Sequence, residues 1–117
     1  MAAMTVTELA QSIDARILLP GKPGGEISRI YAGDRMSDLL EQADARTLLV
    51  THLANRHLVQ VAELMDVPGI CLVQGVDPEP GLLAAAAACG TALLLSQAGL
   101  QDTCSRLERS LKERRGP

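Results

Sequence analysis

Polar side chains follow each of the strongly apolar segments in the second half of the sequence. These residues are Thr51, His52 and Asn55 after the first segment, Gln74 and Gly75 after the second, and Ser96 after the third. An earlier turn adds Gly33 and Asp34. Hydroxyl, imidazole, amide and carboxylate groups beside short glycine turns suit the binding of a small polar ligand, such as a phosphate or a nucleotide. The alternative is that they are ordinary helix caps and turns, which use the same residue types.

The two histidines, His52 and His57, are the side chains best suited to acid–base or metal chemistry. They are five residues apart, a spacing that does not pair side chains on a helix, and no further converging ligands indicate a metal site. His52 could act as a general base with Ser96 as a partner, but no spacing connects the two. We therefore predict no catalytic residues and no metal.

A phosphate-binding loop is excluded by the sequence around Lys22. Gly21 and Lys22 lie in a glycine-rich turn, but Pro23 stands where a Walker motif needs Ser or Thr. The turn also precedes a predicted strand instead of opening a helix, and no GxGxxG run is present. The sequence therefore does not indicate a kinase or an ATPase, and no resident cofactor is predicted, although a nucleotide remains a ligand class for the polar residues above.

The elements that must position these residues are predicted from hydrophobic patterning. Three continuous apolar runs, typical of strands buried on both faces, cover residues 47–50, 70–73 and 92–95. Helical spacing separates them, as in Leu58, Ala62 and Met65. This alternation predicts an α/β fold, a three-layer α/β/α domain with a mostly parallel sheet. In such a sheet, ligands bind beyond the carboxyl ends of the strands, where the polar residues fall.

The N-terminal third is predicted to add a helix and two strands. Thr5 and Glu8 have the spacing of a capping box, and apolar runs at 16–19 and 27–31 read as strands. We predict one domain over residues 1–117, with residues 1–4 and 113–117 loose.

Composition excludes several classes of partner. The net charge of −3, from 14 acidic and 11 basic residues, and a single aromatic residue, Tyr31, do not fit nucleic-acid binding. No apolar run has the length of a membrane span, and the first residues lack the pattern of a signal peptide. Three cysteines in apolar stretches, without a CxxC pair, favour a reducing compartment. A cytoplasmic location is therefore predicted.

Three short stretches resemble the DRTGG domain family, which includes the N-terminal domain of HPr kinase/phosphorylase. They are residues 31–40 (YAGDRMSDLL), residues 48–52 (LLVTH) with Asn55, and residues 69–75 (GICLVQG). The likeness is greatest to the small stand-alone members found beside iron-only hydrogenase components. Thr51 and His52 stand where many members have Gly-Asp-Arg, and only Gly75 matches the Thr-Gly-Gly that follows the next strand.

The resemblance implies a regulatory or ligand-sensing domain without enzymatic activity of its own. It further implies a homodimer, or a partner enzyme or kinase. An alternative implication is an interaction module that docks on a hydrogenase-type redox complex. The ligand-binding residues expected on either basis are the polar residues that follow the predicted strands: Gly33, Asp34, Thr51, His52, Asn55, Gln74, Gly75 and Ser96.

Overall fold

A short strand, a helix and three further strands form the N-terminal third, after which helices and strands alternate to the last described helix. The computed structural model describes residues 3–22, 25–53 and 56–114. The strands in these residues are β1 (Met4–Thr5), β2 (Arg16–Leu19), β3 (Glu26–Ile27), β4 (Arg29–Ala32), β5 (Thr47–Thr51), β6 (Gly69–Leu72) and β7 (Ala92–Leu95). The helices are α1 (Val6–Ser12), α2 (Met36–Gln42), α3 (Arg56–Leu64), α4 (Pro80–Cys89) and α5 (Leu100–Arg114).

The main sheet has five strands in the order β2-β7-β6-β5-β4. Strands β4, β5, β6 and β7 are parallel to their neighbours, and β2 adds to β7 in the antiparallel direction. The β2–β7 register shifts between Ile17 and Leu19, whereas β4 pairs with β5 without a shift. The prediction of a mostly parallel sheet is confirmed.

Helices cover both faces of this sheet, so the three-layer prediction is also confirmed. Alternate residues of β5 face opposite layers: Leu48 and Val50 join the cluster that contains Leu9 of α1 and Leu107 of α5. Leu49 joins the cluster built with α3 and α4. All five residues of β5 and all four of β6 and β7 are buried, as expected for parallel strands covered on both sides.

Local sequence signals fix where helices begin and end. The Glu8 amide donates to Thr5 Oγ1 at 3.1 Å and the Thr5 amide donates to Glu8 Oε1 at 3.0 Å, which is the predicted capping box. Proline at the first position of α4 needs no amide hydrogen there. Gly90 ends α4 in the left-handed conformation, with φ of 71°.

Two details differ from the predictions. The strand expected at 27–31 is divided, because the Ser28 and Arg29 amides both donate to the Arg46 carbonyl; the part before the division, β3, pairs with β1 in a small antiparallel sheet. The expectation of loose ends was wrong for Met4, which pairs with Ile27 and is 9% exposed, and for residues 113–114, which belong to α5. Residues 1–2 and 115–117 lie outside the described part of the chain.

Within residues 3–22, 25–53 and 56–114, the structure has no helix with the length and apolar character that crossing a membrane requires.

We expect Leu107→Ala to lower the free energy of unfolding by about 2–5 kcal/mol, because it removes a fully buried side chain between α5 and the sheet and leaves a cavity. Leu64→Ala makes the same chemical change at a side chain that is 72% exposed, and should cost about 0.5 kcal/mol or less. Urea unfolding followed by circular dichroism compares the two. Equal losses would contradict the assignment of α5 to the core.

Candidate functional site

The candidate site lies where neighbouring parallel strands end at one edge of the sheet. We call this surface the strand-end rim. Its residues are Gly33 and Asp34 after β4, Thr51 and His52 at the end of β5, Gln74 and Gly75 after β6, and Ser96 after β7. The strand order places the ends of β4, β5, β6 and β7 side by side, so residues distant in sequence can meet. Asn55, the remaining predicted member, lies outside the described residues.

The Asp34 carboxylate connects the end of β4 to the end of β5. Its Oδ1 accepts hydrogen bonds from the Thr51 hydroxyl at 2.8 Å and from the His52 amide at 2.7 Å. Its Oδ2 lies 3.1 Å from Nδ1 of the His52 ring. The sequence suggested a helix cap at this position, but both carboxylate oxygens instead bond to the end of β5.

The His52 ring continues this connection to β6. Nδ1 faces the Asp34 carboxylate, and Nε2 lies 2.9 Å from Oε1 of Gln74. A carboxylate accepts only, so Nδ1 carries the proton directed at Asp34. An amide side chain offers either a donor or an acceptor, so Gln74 can satisfy Nε2 in the neutral and in the charged ring. Three strand ends are thus joined through one chain of side chains: Asp34, His52 and Gln74.

This chain of side chains stays open to solvent. The side chains of His52 and Asp34 are 35% and 43% exposed, and Gln74 is exposed. Partial burial raises the pKa of the Asp34 carboxyl, but the hydrogen bonds from the His52 amide, the Thr51 hydroxyl and the His52 ring outweigh it, so the pKa is lowered. Asp34 is therefore held as an ionised acceptor in a position that solvent or a ligand can reach.

The turn after β6 is shaped by two residues in the left-handed conformation. Gln74 has φ of 57° and Gly75 has φ of 63°. The Gln74 amide donates to the Ala98 carbonyl at 2.9 Å and the Gly75 amide to the Ser96 carbonyl at 3.0 Å. The positive φ favours glycine at position 75, and a Cβ there would also lie 2.7 Å from Oε1 of Gln97, so the exposed Gln97 side chain would have to move. Gly75 thus shapes the turn that presents Gln74.

Ser96 is placed differently from the other predicted residues. It is 5% exposed, and its hydroxyl lies 2.8 Å from the Thr103 hydroxyl of α5, while the Ala98 amide donates to it at 3.3 Å. The Ser96 hydroxyl therefore belongs to the packing of α5 against the sheet. Both ring nitrogens of His52 bond elsewhere, so the His52–Ser96 pair considered as a catalytic partnership is not formed.

Gly33 takes part through its backbone. Its amide donates to the Val50 carbonyl at 3.0 Å, which extends the β4–β5 pairing by one residue beyond the strand. This bond sets Asp34 directly beside the end of β5.

Two contacts beside the rim were not predicted from the sequence. The Arg56 amide, at the start of α3, donates to Oε1 of Glu79 at 2.9 Å, which joins the starts of α3 and α4. The side-chain amide of Gln97 packs against Gly75. No local pattern predicts these contacts, because the partners are 23 and 22 residues apart; only the expectation of a parallel sheet could place them at one edge.

The described residues offer little for metal or thiol chemistry. Among them, no group of three His, Cys, Asp or Glu side chains is arranged to hold a metal ion. Burial raises the pKa of Cys71 to about 12, and burial together with Glu108 raises that of Cys104 to about 11. The hydrogen bond to Glu63 raises the pKa of Cys89 as well. The cysteines are thus protonated thiols at neutral pH, which makes them poor nucleophiles.

The fold is similar to that of a known regulatory region. A scan against protein-family models gives no match, and a search of curated proteins gives none. A crystal structure of the CBS and DRTGG domains of the regulatory region of Clostridium perfringens pyrophosphatase, complexed with the activator diadenosine tetraphosphate, matches with a TM-score of 0.67. The sequence identity is 9%, and the match covers 91% of this chain and 46% of that chain.

This likeness confirms the α/β fold class and shows that the chain has the fold found in a DRTGG-containing region. The chain spans less than half the length of the pyrophosphatase structure. The matched structure is described as that of a regulatory region, and a domain without catalysis of its own stays a prediction for this chain. Membership in the stand-alone group found beside hydrogenase components stays a prediction.

We expect Asp34→Asn to lower the free energy of unfolding near neutral pH. The folded-state pKa of Asp34 lies below its ordinary value of 3.8, so the ionised group stabilises the fold above that value. The stabilisation is lost as the pH falls through the folded-state pKa. The difference between wild type and variant, measured by urea unfolding, should be largest near neutral pH and shrink at the acid end.

Asp77→Asn is the matched control, since Asp77 is exposed and has no side-chain hydrogen bond among the described residues. It should change stability little at either pH. A destabilisation by Asp34→Asn that is independent of pH would show that the carboxylate charge is not what joins β4 to β5.

We expect Ser96→Ala to cost about 1 kcal/mol of stability, because the Thr103 hydroxyl loses its 2.8 Å partner and keeps only the 3.4 Å bond to the Ala98 carbonyl, while the Ala98 amide loses its acceptor. Ser105→Ala removes the same hydroxyl from an exposed position on α5, the helix that contains Thr103, and should change stability by about 0.5 kcal/mol or less. Thermal unfolding measures both. If Ser96→Ala were as stable as Ser105→Ala, the Ser96 hydroxyl would not have the structural role described.

Proposed function

We propose that this chain is a non-catalytic regulatory domain that binds a small polar ligand at the strand-end rim. The observation that carries the proposal is the chain of Asp34, His52 and Gln74, which spans three strand ends while remaining partly open to solvent. Functional groups held at the carboxyl ends of parallel strands are the usual ligand position in an open α/β sheet.

The rim offers donors and acceptors that a ligand can use without breaking the core. The bonds between His52, Gln74 and Asp34 are made by exposed side chains, so a ligand can replace or extend them at little cost in buried area. Gln74 presents both halves of an amide, which matches the paired donor and acceptor on the edge of a nucleobase. The Asp34 carboxylate fixes the His52 ring and so presents Nε2 in one direction.

Nucleotides are the ligand class that we propose to test first. Arg35 and Arg56 flank the rim in sequence, are exposed, and form no ion pair among the described residues. They can therefore meet phosphate oxygens without giving up an existing partner. The regulatory region with a similar fold is complexed with diadenosine tetraphosphate, which supports the choice of ligand class.

The proposal includes no reaction. The hydroxyl that was the conceivable partner of His52 is bonded to Thr103, and the described thiols have raised pKa values. A ligand bound at the rim would act by holding β4, β5 and β6 ends in one arrangement, a change that a partner protein can read. A homodimer, a partner enzyme or kinase, docking on a redox complex and a cytoplasmic location stay predictions from the sequence.

The test is a thermal-shift screen of the purified chain against nucleotides, nucleotide cofactors and phosphorylated metabolites. A ligand present at 100 times its Kd, and binding only the folded chain, adds about 2.7 kcal/mol of stability. We expect His52→Ala and Gln74→Ala each to reduce the ligand-induced shift strongly, because both side chains form the open part of the rim.

Gln11→Ala is the matched control, since it removes the same side chain from an exposed position on α1 outside the rim, and should keep the full shift. A screen without any hit would contradict ligand sensing. A hit whose shift survives both rim variants would place the ligand elsewhere.

A further inference from the structure

The outer edge of β4 leaves backbone groups of the sheet unpaired within the described part of the chain. β4 is the last strand of the main sheet. The Arg29 amide donates to the carbonyl of Arg46, the residue before β5, at 3.2 Å, and the Gly33 amide donates to the Val50 carbonyl of β5 at 3.0 Å. Alternate residues of a strand direct their amides to opposite sides, so Ile30 and Ala32 direct theirs away from β5. This edge can accept another strand.

The two edges of the sheet are not equivalent. The strand at the opposite edge, β2, has a register shift between Ile17 and Leu19. Such an irregularity twists an edge and discourages further pairing. β4 pairs with β5 through four successive residue pairs without a shift. The regular edge is therefore β4.

A groove of about 580 Å³ runs beside this edge, between β4 and α5. We call it the β4–α5 groove; Ser28, Arg29 and Ile30 line one side, and Arg109, Leu111 and Lys112 are on the other. Ile30 and Leu111 belong to the core beneath it, so its floor is apolar. A strand added to β4 would lie against this groove on its α5 face.

The charges of the groove favour an acidic occupant. Arg109 and Lys112 form no ion pair with any described residue. Arg29, by contrast, is paired with Asp44 at 2.9 Å, and Glu108 accepts a hydrogen bond from the Cys104 thiol at 3.7 Å. The thiol bond leaves the charge of Glu108 in place, so Arg109 and Lys112 give the groove an excess of one positive charge over Glu108. Carboxylates on an incoming segment would meet these cations.

We propose that the β4 edge and the β4–α5 groove form a docking site for an extended, acidic segment of a partner protein, which adds to the sheet as a further strand. Main-chain hydrogen bonds to Ile30 and Ala32 would supply affinity, and Arg109 and Lys112 would select carboxylates. This site is separate from the ligand site at the rim, although Gly33 and Asp34 directly follow β4, so the strand connects the two.

The test uses fluorescence anisotropy with the full chain and a fluorescein-labelled octapeptide of alternating valine and glutamate. We expect saturable binding that weakens as salt rises. The same peptide with N-methyl groups on alternate residues cannot complete the ladder and should bind at least about ten-fold more weakly. A valine–lysine peptide of the same length should bind no better than the N-methylated one.

Variants of the chain separate the contribution of charge attraction from that of main-chain hydrogen bonding. Arg109→Glu should weaken binding of the valine–glutamate peptide about ten-fold, whereas Arg16→Glu, the same charge reversal on the β2 edge, should change it less than about two-fold. Ala32→Pro removes an outward amide while leaving the inward ladder intact, and should abolish binding. Circular dichroism confirms that this variant folds; the N-methylated peptide tests the same point on the unchanged chain.

Several outcomes would overturn the proposal. The acidic peptide could fail to saturate up to about 1 mM, or bind equally when N-methylated, and either result excludes strand addition. Equal binding of the acidic and basic peptides excludes selection by charge. Light scattering that shows a wild-type dimer, dissociated by Ala32→Pro, would assign the edge to a second copy of this chain.

Discussion

The burial of β5, β6 and β7 on both faces is the constraint on which the rest of the structure depends. Every residue of these strands is buried. Strands of this kind cannot face water on either side, so the chain must supply a helical layer for each face. The layer that contains α1 is also close to the sheet: a Cβ at Gly69 would lie 3.3 Å from Cγ2 of Val6. A core without Phe or Trp can form because aliphatic side chains fill these thin layers.

Since both faces are covered, only the ends of the strands are left for polar side chains. β5 is held at each end by an aspartate and a threonine. At its start, Asp44 accepts from the Arg46 amide and from the Thr47 hydroxyl, and its remaining contact is the ion pair with Arg29. At its end, Asp34 accepts in the same way from Thr51. The two ends differ in the next contact of the carboxylate. At the start, Asp44 pairs with Arg29, whereas at the end Asp34 bonds to the His52 ring, which in turn bonds to the exposed Gln74 amide.

The sequence predicts the layers well because burial leaves a periodic pattern. The apolar runs at 47–50, 70–73 and 92–95 became β5, β6 and β7 within a residue at each end. The small β1–β3 sheet was not predicted, because a two-residue strand such as β3 carries no period. The order of the strands in the sheet could not be predicted from the sequence either, because the pairing of β2 with β7 depends on packing between distant segments.

The candidate site was predicted as a set of positions but not as a set of contacts. The expectation that polar residues gather beyond the carboxyl ends of parallel strands places Asp34, His52 and Gln74 at one edge of the sheet. It does not distinguish them from Ser96, whose hydroxyl is buried under α5. The distinction depends on which way each side chain leaves its turn. For Gln74 that direction follows from its left-handed backbone conformation. The presence of a glutamine in the sequence does not predict this conformation, which is uncommon for residues other than glycine.

The position of β2 has a consequence for how the chain is made. Arg16 pairs with Leu95, so the sheet partner that β2 has among the described residues is β7, which is synthesised after three intervening strands of the same sheet. During translation from the N-terminus, β2 must wait until β7 has left the ribosome before its ladder can form. Until then Leu18 and Leu19 of β2 lack their native cover, and this apolar segment is accessible to chaperones and proteases.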